Sequence, residues 1–223
     1  RFEATVPVPG LVDMAQPPFE QVGTPASNSL RQAFWYRRTF TLDGPVPASA
    51  RLKLGKAMFG TKVFVNGQLA GEHRPCFTPA ELDVRELLRP AGEPNEVVIS
   101  VGAHRTLLPK GMPDGADFEK IRYTPGIYDS VELILSGLPR VTNVQVVPDI
   151  EGKTARIAGE IEDPAATGGR VTCEVREAKS GNPAGRAEAT YTPVNGRAIV
   201  ELRVPLSACR LWSPEDPFLY EAA

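Results

Sequence analysis

Residues 62–73 read K-V-F-V-N-G-Q-L-A-G-E-H and contain the strongest local structural signal of the chain. In this stretch Asn66-Gly67 separates two strand-like segments, Lys62–Val65 and Gln68–His73. A two-residue type I′ turn requires positive φ at both central residues, and Asn followed by Gly is the pair that tolerates this best. We therefore predict a β-hairpin with Asn66 and Gly67 at its tip.

Strand-like segments dominate the first half of the chain, and one short helical segment interrupts them. Phe34–Leu42 is rich in aromatic residues, which suit a half-buried strand. Asp83 and Glu86 have the spacing of a helix start, and we predict one helical turn there, ended by Pro90 and Gly92. The 20 glycines and 22 prolines leave little room for long helices. The sequence therefore predicts an all-β fold. Further strands are predicted at Glu96–Val101 and Ser130–Leu135.

A second group of strand-like segments begins near Arg140, after the break Ser136-Gly137-Leu138-Pro139. Turn-forming residues separate these segments at intervals of about a dozen residues, which is typical of an immunoglobulin-like sandwich. We therefore predict two domains, at residues 1–138 and 139–223. The candidate strands of the second domain are Val141–Pro148, Thr154–Glu162, Arg170–Glu177, Arg186–Tyr191 and Arg197–Val204.

Composition and charge argue against several classes of function. The 223 residues carry a net charge of −2 and no basic stripe, which argues against a nucleic-acid partner. The longest apolar runs are only a few residues, so no membrane span is predicted. The three cysteines and two histidines are too far apart for a zinc site of standard spacing, and we predict neither a metal nor a cofactor. Motifs such as GxSxG, HExxH and GxGxxG are absent.

Four segments, taken in order, resemble the front part of glycoside hydrolase family 2, which includes β-galactosidases, β-glucuronidases and β-mannosidases. The resemblance extends from about Pro9 to Tyr220. It implies a jelly-roll sugar-binding domain, similar to galactose-binding domains, followed by an immunoglobulin-like β-sandwich. The segments are A-F-W-Y-R-R-T-F at 33–40, V-F-V-N-G-Q-L-A-G-E-H at 63–73, Y-T-P-G-I-Y-D-S-V-E-L at 123–133 and L-W-S-P-E-D-P-F-L-Y at 211–220.

The same resemblance implies where the chemistry of the parent enzyme lies. In this family the two catalytic glutamates of retaining hydrolysis belong to a TIM barrel that follows the sandwich, and such a barrel takes about 250 residues. We therefore expect this chain to be the non-catalytic front part of a β-galactosidase-like enzyme and to be inactive alone. It would brace the barrel and form one wall of the sugar pocket. Its expected partners are a β-glycoside and that barrel, and the resemblance leaves a homo-oligomer open.

Two loops are implied to reach the sugar pocket. One loop, at residues 9–15, offers Asp13. The other, at residues 114–123, precedes the Pro-Gly-Ile segment and offers Asp117, Arg122 and Tyr123. Asp117 is the nearest match to an acidic residue that faces the substrate in β-galactosidase-like members, and a plain turn residue is the alternative. Arg122 could hydrogen-bond a sugar and Tyr123 could stack on it, with ordering of the loop as the alternative for both.

Two other functions stay open. A free-standing carbohydrate-binding module would need an exposed aromatic platform, and a structural or adhesive two-domain β protein would need none. For Trp35 we expect packing in the core or between domains, with a sugar platform as the alternative. For Trp212 we expect a core position at the end of the sandwich. Many family members are exported and this chain opens with Arg1, so we expect a processed piece with a periplasmic or secreted location.

Overall fold

The computed structural model describes residues 2–20, 22, 32–113 and 124–223 of the chain. Its packing separates two compact units, Arg1–Ser136 and Gly137–Ala223. The all-β prediction is confirmed, because every pair of strands is antiparallel and the helical segments of the described residues are three short 3₁₀ turns. The two domains with a boundary at 138/139 stay a prediction.

The first unit contains the predicted hairpin, with φ of 50° at Asn66 and 81° at Gly67. The predicted helical turn is also present, as a 3₁₀ turn in which the Asp83 carboxylate accepts a hydrogen bond from the N–H of Arg85. The strands are β1 (Gly10–Leu11), β2 (Ala33–Phe40), β3 (Ser49–Leu54), β4 (Phe59–Val65), β5 (Gln68–His73), β6 (Ala80–Asp83), β7 (Asn95–Gly102), β8 (Gly126–Ile127) and β9 (Val131–Ser136). The 3₁₀ turns are Val12–Met14, Arg85–Leu87 and Arg105–Leu107.

The core of the first unit lies between two sheets, with strand orders β2-β7-β4-β5 and β6-β3-β9. Side chains alternate in and out along each strand. On β4, Val63 and Val65 are buried whereas Lys62 is exposed. Leu52 and Leu54 of β3 come from the other sheet and belong to the same apolar cluster. A shift of one residue in the register of a strand would move its apolar side chains from this core to water.

The second unit is built from two three-stranded sheets, with strand orders β10-β11-β14 and β13-β12-β15. All five strands predicted for this half are present. The register aligns Ile157 of β11 with Leu202 of β14, and both are buried against Val175 of β12. The strands are β10 (Arg140–Asp149), β11 (Thr154–Glu162), β12 (Gly169–Glu177), β13 (Pro183–Tyr191), β14 (Arg197–Pro205) and β15 (Tyr220–Ala222).

A buried carboxylate holds the connection between β11 and β12. Asp163 is 1% exposed and accepts hydrogen bonds from the N–H of Gly168 at 2.9 Å, the hydroxyl of Thr167 at 3.1 Å and the hydroxyl of Tyr191 at 3.3 Å. Burial by itself raises the pKa of this carboxyl, but the three donors outweigh burial and hold the pKa below its ordinary value of 3.8. Asp163 is therefore an ionised structural acceptor.

Replacing this carboxylate by an amide should destabilise the chain in a pH-dependent way. A lowered pKa in the folded state stabilises the protein above the unfolded value of 3.8, and this contribution is lost as the pH falls through the folded pKa. Asp163→Asn should therefore have a lower free energy of unfolding than wild type at about pH 7. This gap in the free energy of unfolding should narrow toward about pH 3. Denaturant unfolding followed by circular dichroism at several pH values measures the gap.

Asp149→Asn is the matched control, because Asp149 is an exposed carboxylate of the same unit that accepts one hydrogen bond, from the N–H of Gly152. A gap between Asp163→Asn and wild type that stays constant with pH would contradict the structural role of the charge.

The short ladder between β1 and β8 leaves no room for a side chain at Gly126. Gly126 pairs with Leu11, and Gly10 pairs with Ile127. A Cβ on Gly126 would lie 2.7 Å from the Cα of Leu11 and still closer to the carbonyl oxygen of Gly10. Because both obstacles are backbone atoms, rotation of a side chain cannot relieve the clash.

Gly126→Ala should therefore lower the free energy of unfolding by about 1–3 kcal/mol, the usual cost of overpacking. The control is Gly137→Ala, where an added Cβ meets no atom within 4 Å. Equal melting temperatures for the two variants would contradict the close approach of β1 and β8.

Candidate functional site

The structure brings the first candidate loop against the segment that follows the second. The N–H of Val12 donates a hydrogen bond to the carbonyl oxygen of Pro125 at 2.9 Å, next to the β1–β8 ladder. Asp13 occupies the 3₁₀ turn after β1 and is exposed. Its contact with a sugar stays a prediction. The other three candidates, Asp117, Arg122 and Tyr123, lie outside the described residues, and their roles stay predictions.

Two partly buried tyrosines lie close to the Pro-Gly-Ile segment, and one of them anchors it. The hydroxyl of Tyr128 donates to the carbonyl oxygen of Cys76 at 2.6 Å, and burial raises the pKa of Tyr128. Burial also raises the pKa of Tyr36 to about 12, against a smaller opposite effect of the Ile127 backbone. Both phenols are therefore protonated at neutral pH. Tyr128 anchors the segment through its hydrogen bond, whereas Tyr36 packs against the apolar core.

The second unit carries an open cleft of about 640 Å³ on the sheet that contains β12 and β13. Its single carboxylate, Glu174, contacts Arg176 at 2.6 Å and Arg186 at 3.5 Å. The hydrogen bond from Arg176 is the main cause that lowers the pKa of Glu174. A retaining glycosidase needs two carboxyl groups about 5–5.5 Å apart, and its general acid has a raised pKa. This cleft therefore lacks the groups for glycoside hydrolysis.

The described residues contain no group of three His, Cys, Asp or Glu side chains that could hold a metal ion. The two histidines make local contacts. Nε2 of His73 lies 2.8 Å from the carbonyl oxygen of Thr78, and Nδ1 of His104 lies 2.7 Å from the hydroxyl of Thr106. In the same part of the chain, none of the helical segments has the length and apolarity that crossing a membrane requires.

Both tryptophans lie at the surface, so the core position predicted for Trp212 is wrong. For Trp35 a core position is also wrong, and packing between domains stays a prediction. Trp35 is 55% exposed and Trp212 is 58% exposed. Trp35 is at an outward position of β2, and its ring centroid lies 6.1 Å from that of Phe64 on β4. The surface position of Phe64 was not predicted from the sequence. The signal for it is that Phe64 lies between Val63 and Val65, which are buried, so that its side chain points outward.

Comparison with known proteins identifies relatives for both halves of the chain. The family model described as glycosyl hydrolases family 2 matches residues 140–223. A β-galactosidase from Thermoanaerobacter pseudethanolicus is 24% identical over 228 residues, which cover 95% of this chain and 30% of that protein. A glycosyl hydrolase family 2 member from Bacteroides cellulosilyticus DSM 14838 has a TM-score of 0.68 at 20% identity, over 86% of this chain and 26% of that chain. A β-D-mannosidase from Dictyoglomus thermophilum has a TM-score of 0.67 at 19% identity, over 95% of this chain and 31% of that chain.

At these identities the two solved structures show the shared fold alone. The chain spans less than a third of the length of each of these three proteins. The family model contains only the last of the four sequence segments, and together with the three relatives it confirms the resemblance to glycoside hydrolase family 2. Residues 140–223 of this chain are therefore a domain of glycoside hydrolase family 2.

Proposed function

We propose that this chain is the non-catalytic front part of a β-galactosidase-like glycosidase, in which it braces a catalytic barrel and forms one wall of the sugar pocket. One observation carries the proposal: a family 2 domain lies in a chain that covers 30% of a β-galactosidase. In this proposal the first unit is a jelly-roll sugar-binding domain and the second is an immunoglobulin-like sandwich. The TM-scores of 0.67–0.68 with larger glycosidases support this assignment.

The segment at 210–220 supports the bracing role, because its backbone is held while its apolar side chains face outward. Arg210 makes two hydrogen bonds with the Asp216 carboxylate, at 2.6 and 2.7 Å, and its guanidinium lies 4.5 Å from the ring centroid of Phe218. Exposed apolar groups on a held segment are typical of an interaction surface. The exposed side chains are Leu211 at 54%, Trp212 at 58% and Leu219 at 60%.

The pocket wall in this proposal is formed by the loops at 9–15 and 114–123. Asp13 would face the sugar from the first loop, and Asp117, Arg122 and Tyr123 would face it from the second. The β1–β8 ladder supports this arrangement, because it ties the first loop to the segment that directly follows the second.

The 223-residue chain alone should not hydrolyse a chromogenic β-galactoside, whereas the native gene product should. The reason is that the proposal places both catalytic glutamates in the barrel. Intact mass spectrometry of the native product gives the first readout. We expect its mass to exceed that of the 223 residues by at least the mass of a barrel of about 250 residues. Turnover by the 223-residue chain would contradict a non-catalytic role. A native product of 223 residues would favour a structural or adhesive protein instead.

In the native full-length protein, Trp212→Ala should lower the melting temperature and the turnover, because it removes apolar contact with the barrel. Trp35→Ala is the matched control, since Trp35 has nearly the same exposed fraction but lies on the first unit. Equal effects of both substitutions would contradict the bracing surface.

The periplasmic or secreted location stays a prediction that cell fractionation tests.

A further inference from the structure

The outer face of the sheet β2-β7-β4-β5 carries an aromatic pair that the proposed function does not use. The registers place Trp35 opposite Ser100 and Phe64 opposite Val98, and Phe64 lies opposite Leu69 of β5. These side chains alternate with the buried ones of the same strands and therefore point away from the core. We define the aromatic face as Trp35, Phe64, Leu69 and Val98.

The two rings of the aromatic face are direct neighbours. Their centroids lie 6.1 Å apart and their planes are inclined by 32°. Trp35 is 55% exposed and Leu69 is 52% exposed, whereas Ser100 is only 6% exposed although it lies in an outward position. The sheet holds the aromatic face, since each of its residues belongs to a strand. A ligand would therefore meet a rigid surface and lose little affinity to ordering of the protein.

Charges border the aromatic face and are balanced. Arg37 pairs with Glu96 at 3.8 Å on one side, and Lys62 pairs with Glu72 at 3.1 Å on the other. The guanidinium of Arg37 also lies 4.6 Å from the centroid of the Phe2 ring, which helps to hold it in place. These four groups offer hydrogen-bond donors and acceptors without a net charge. The border therefore suits an uncharged polar ligand better than an anionic one.

The size of the aromatic face also favours a small ligand over a protein. Four neighbouring strands span about 14 Å and two residues along a strand span about 7 Å, so the apolar area is roughly 100 Å². A stable protein interface buries about 800 Å² on each partner, and its centre is depleted of charged residues. Here charged pairs lie immediately beside the rings, and the area falls far short of that size.

We propose that the aromatic face binds a neutral oligosaccharide by stacking, at a site formed by residues other than those of the candidate loops. A pyranose ring has one face of C–H bonds, which are attracted to the negative face of an aromatic ring, and hydroxyl groups around its edge. The rings of Trp35 and Phe64 stack on the C–H faces of adjacent sugar units. The bordering charged groups hydrogen-bond the hydroxyls. The choice of a sugar as ligand rests on the proposed function, because residues 140–223 are a domain of a glycosidase family.

The experiment titrates the full chain with lactose, cellobiose and β-1,4-mannobiose, and with a glucuronic-acid-containing disaccharide as the charged probe. Isothermal calorimetry measures affinity. The chain has two tryptophans, so a Trp212→Phe background makes Trp35 the single indole reporter of binding. We expect millimolar binding of at least one neutral sugar, with a blue shift of Trp35 emission. Trp35→Ala should weaken binding at least about tenfold, and Phe64→Ala should weaken it as well.

The matched control is Trp212→Ala, which removes an equally exposed indole from the second unit and should leave the affinity unchanged. Trp35→Phe keeps an aromatic ring and should restore part of the affinity. A far-ultraviolet spectrum and melting curve confirm that each variant is folded, as expected for an exposed position.

Three outcomes would overturn the proposal. They are no binding of any neutral sugar, equal affinities of wild type and Trp35→Ala, and a Trp35-dependent dimer in sedimentation, which would make the face an interface between copies. The titration does not depend on hydrolysis. If the aromatic face does not bind a sugar, the proposed glycosidase role is unaffected. If the native product shows no turnover, the binding result is unaffected.

Discussion

The asparagine side chain at the tip of the hairpin is the interaction on which the first unit depends. The Asn66 amide oxygen accepts a hydrogen bond from the N–H of Glu96 at 2.9 Å, and its nitrogen donates to Asn95 Oδ1 and to the carbonyl oxygen of Leu87, both at 2.8 Å. Asn95 is completely buried and also accepts from the N–H of Arg89. A buried polar pair persists only when it is satisfied, so this network holds the hairpin at one register on β7.

That register determines both faces of the sheet. Because side chains alternate with a period of two, the position that places Val63 in the core also places Phe64 beside Trp35 on the surface. The core and the aromatic face therefore have a common origin in the Asn66 network. At the β1–β8 ladder the constraint is steric. Gly126 has no Cβ, and this lets the two backbones approach each other.

Two carboxylates of the second unit provide structure and not acid chemistry. Asp163 accepts three hydrogen bonds at a turn, and Glu174 is held between two arginines. In both cases the donors lower the pKa, whereas a catalytic acid requires the opposite shift. What this unit offers to a partner is an apolar segment with a held backbone around Trp212. This is consistent with the bracing role that we propose for the chain.

Features that depend on neighbours along the chain could be predicted from the amino-acid sequence. Asn66-Gly67 predicted the hairpin. The strand-like segments between clusters of turn-forming residues predicted β10, β11, β12, β13 and β14 of the second unit. Sequence patterns did not predict β6, β15 or β3, although Arg51 and Lys53 of β3 alternate with small and apolar residues. They also did not predict β1 and β8, which are two residues long and pair with each other. The outward positions of Trp35 and Trp212, and the contact between Trp35 and Phe64, follow from the folded structure and could not be predicted. The physical reason is that the exposure of a side chain depends on register and on the opposing sheet, and both are set by residues far away in sequence.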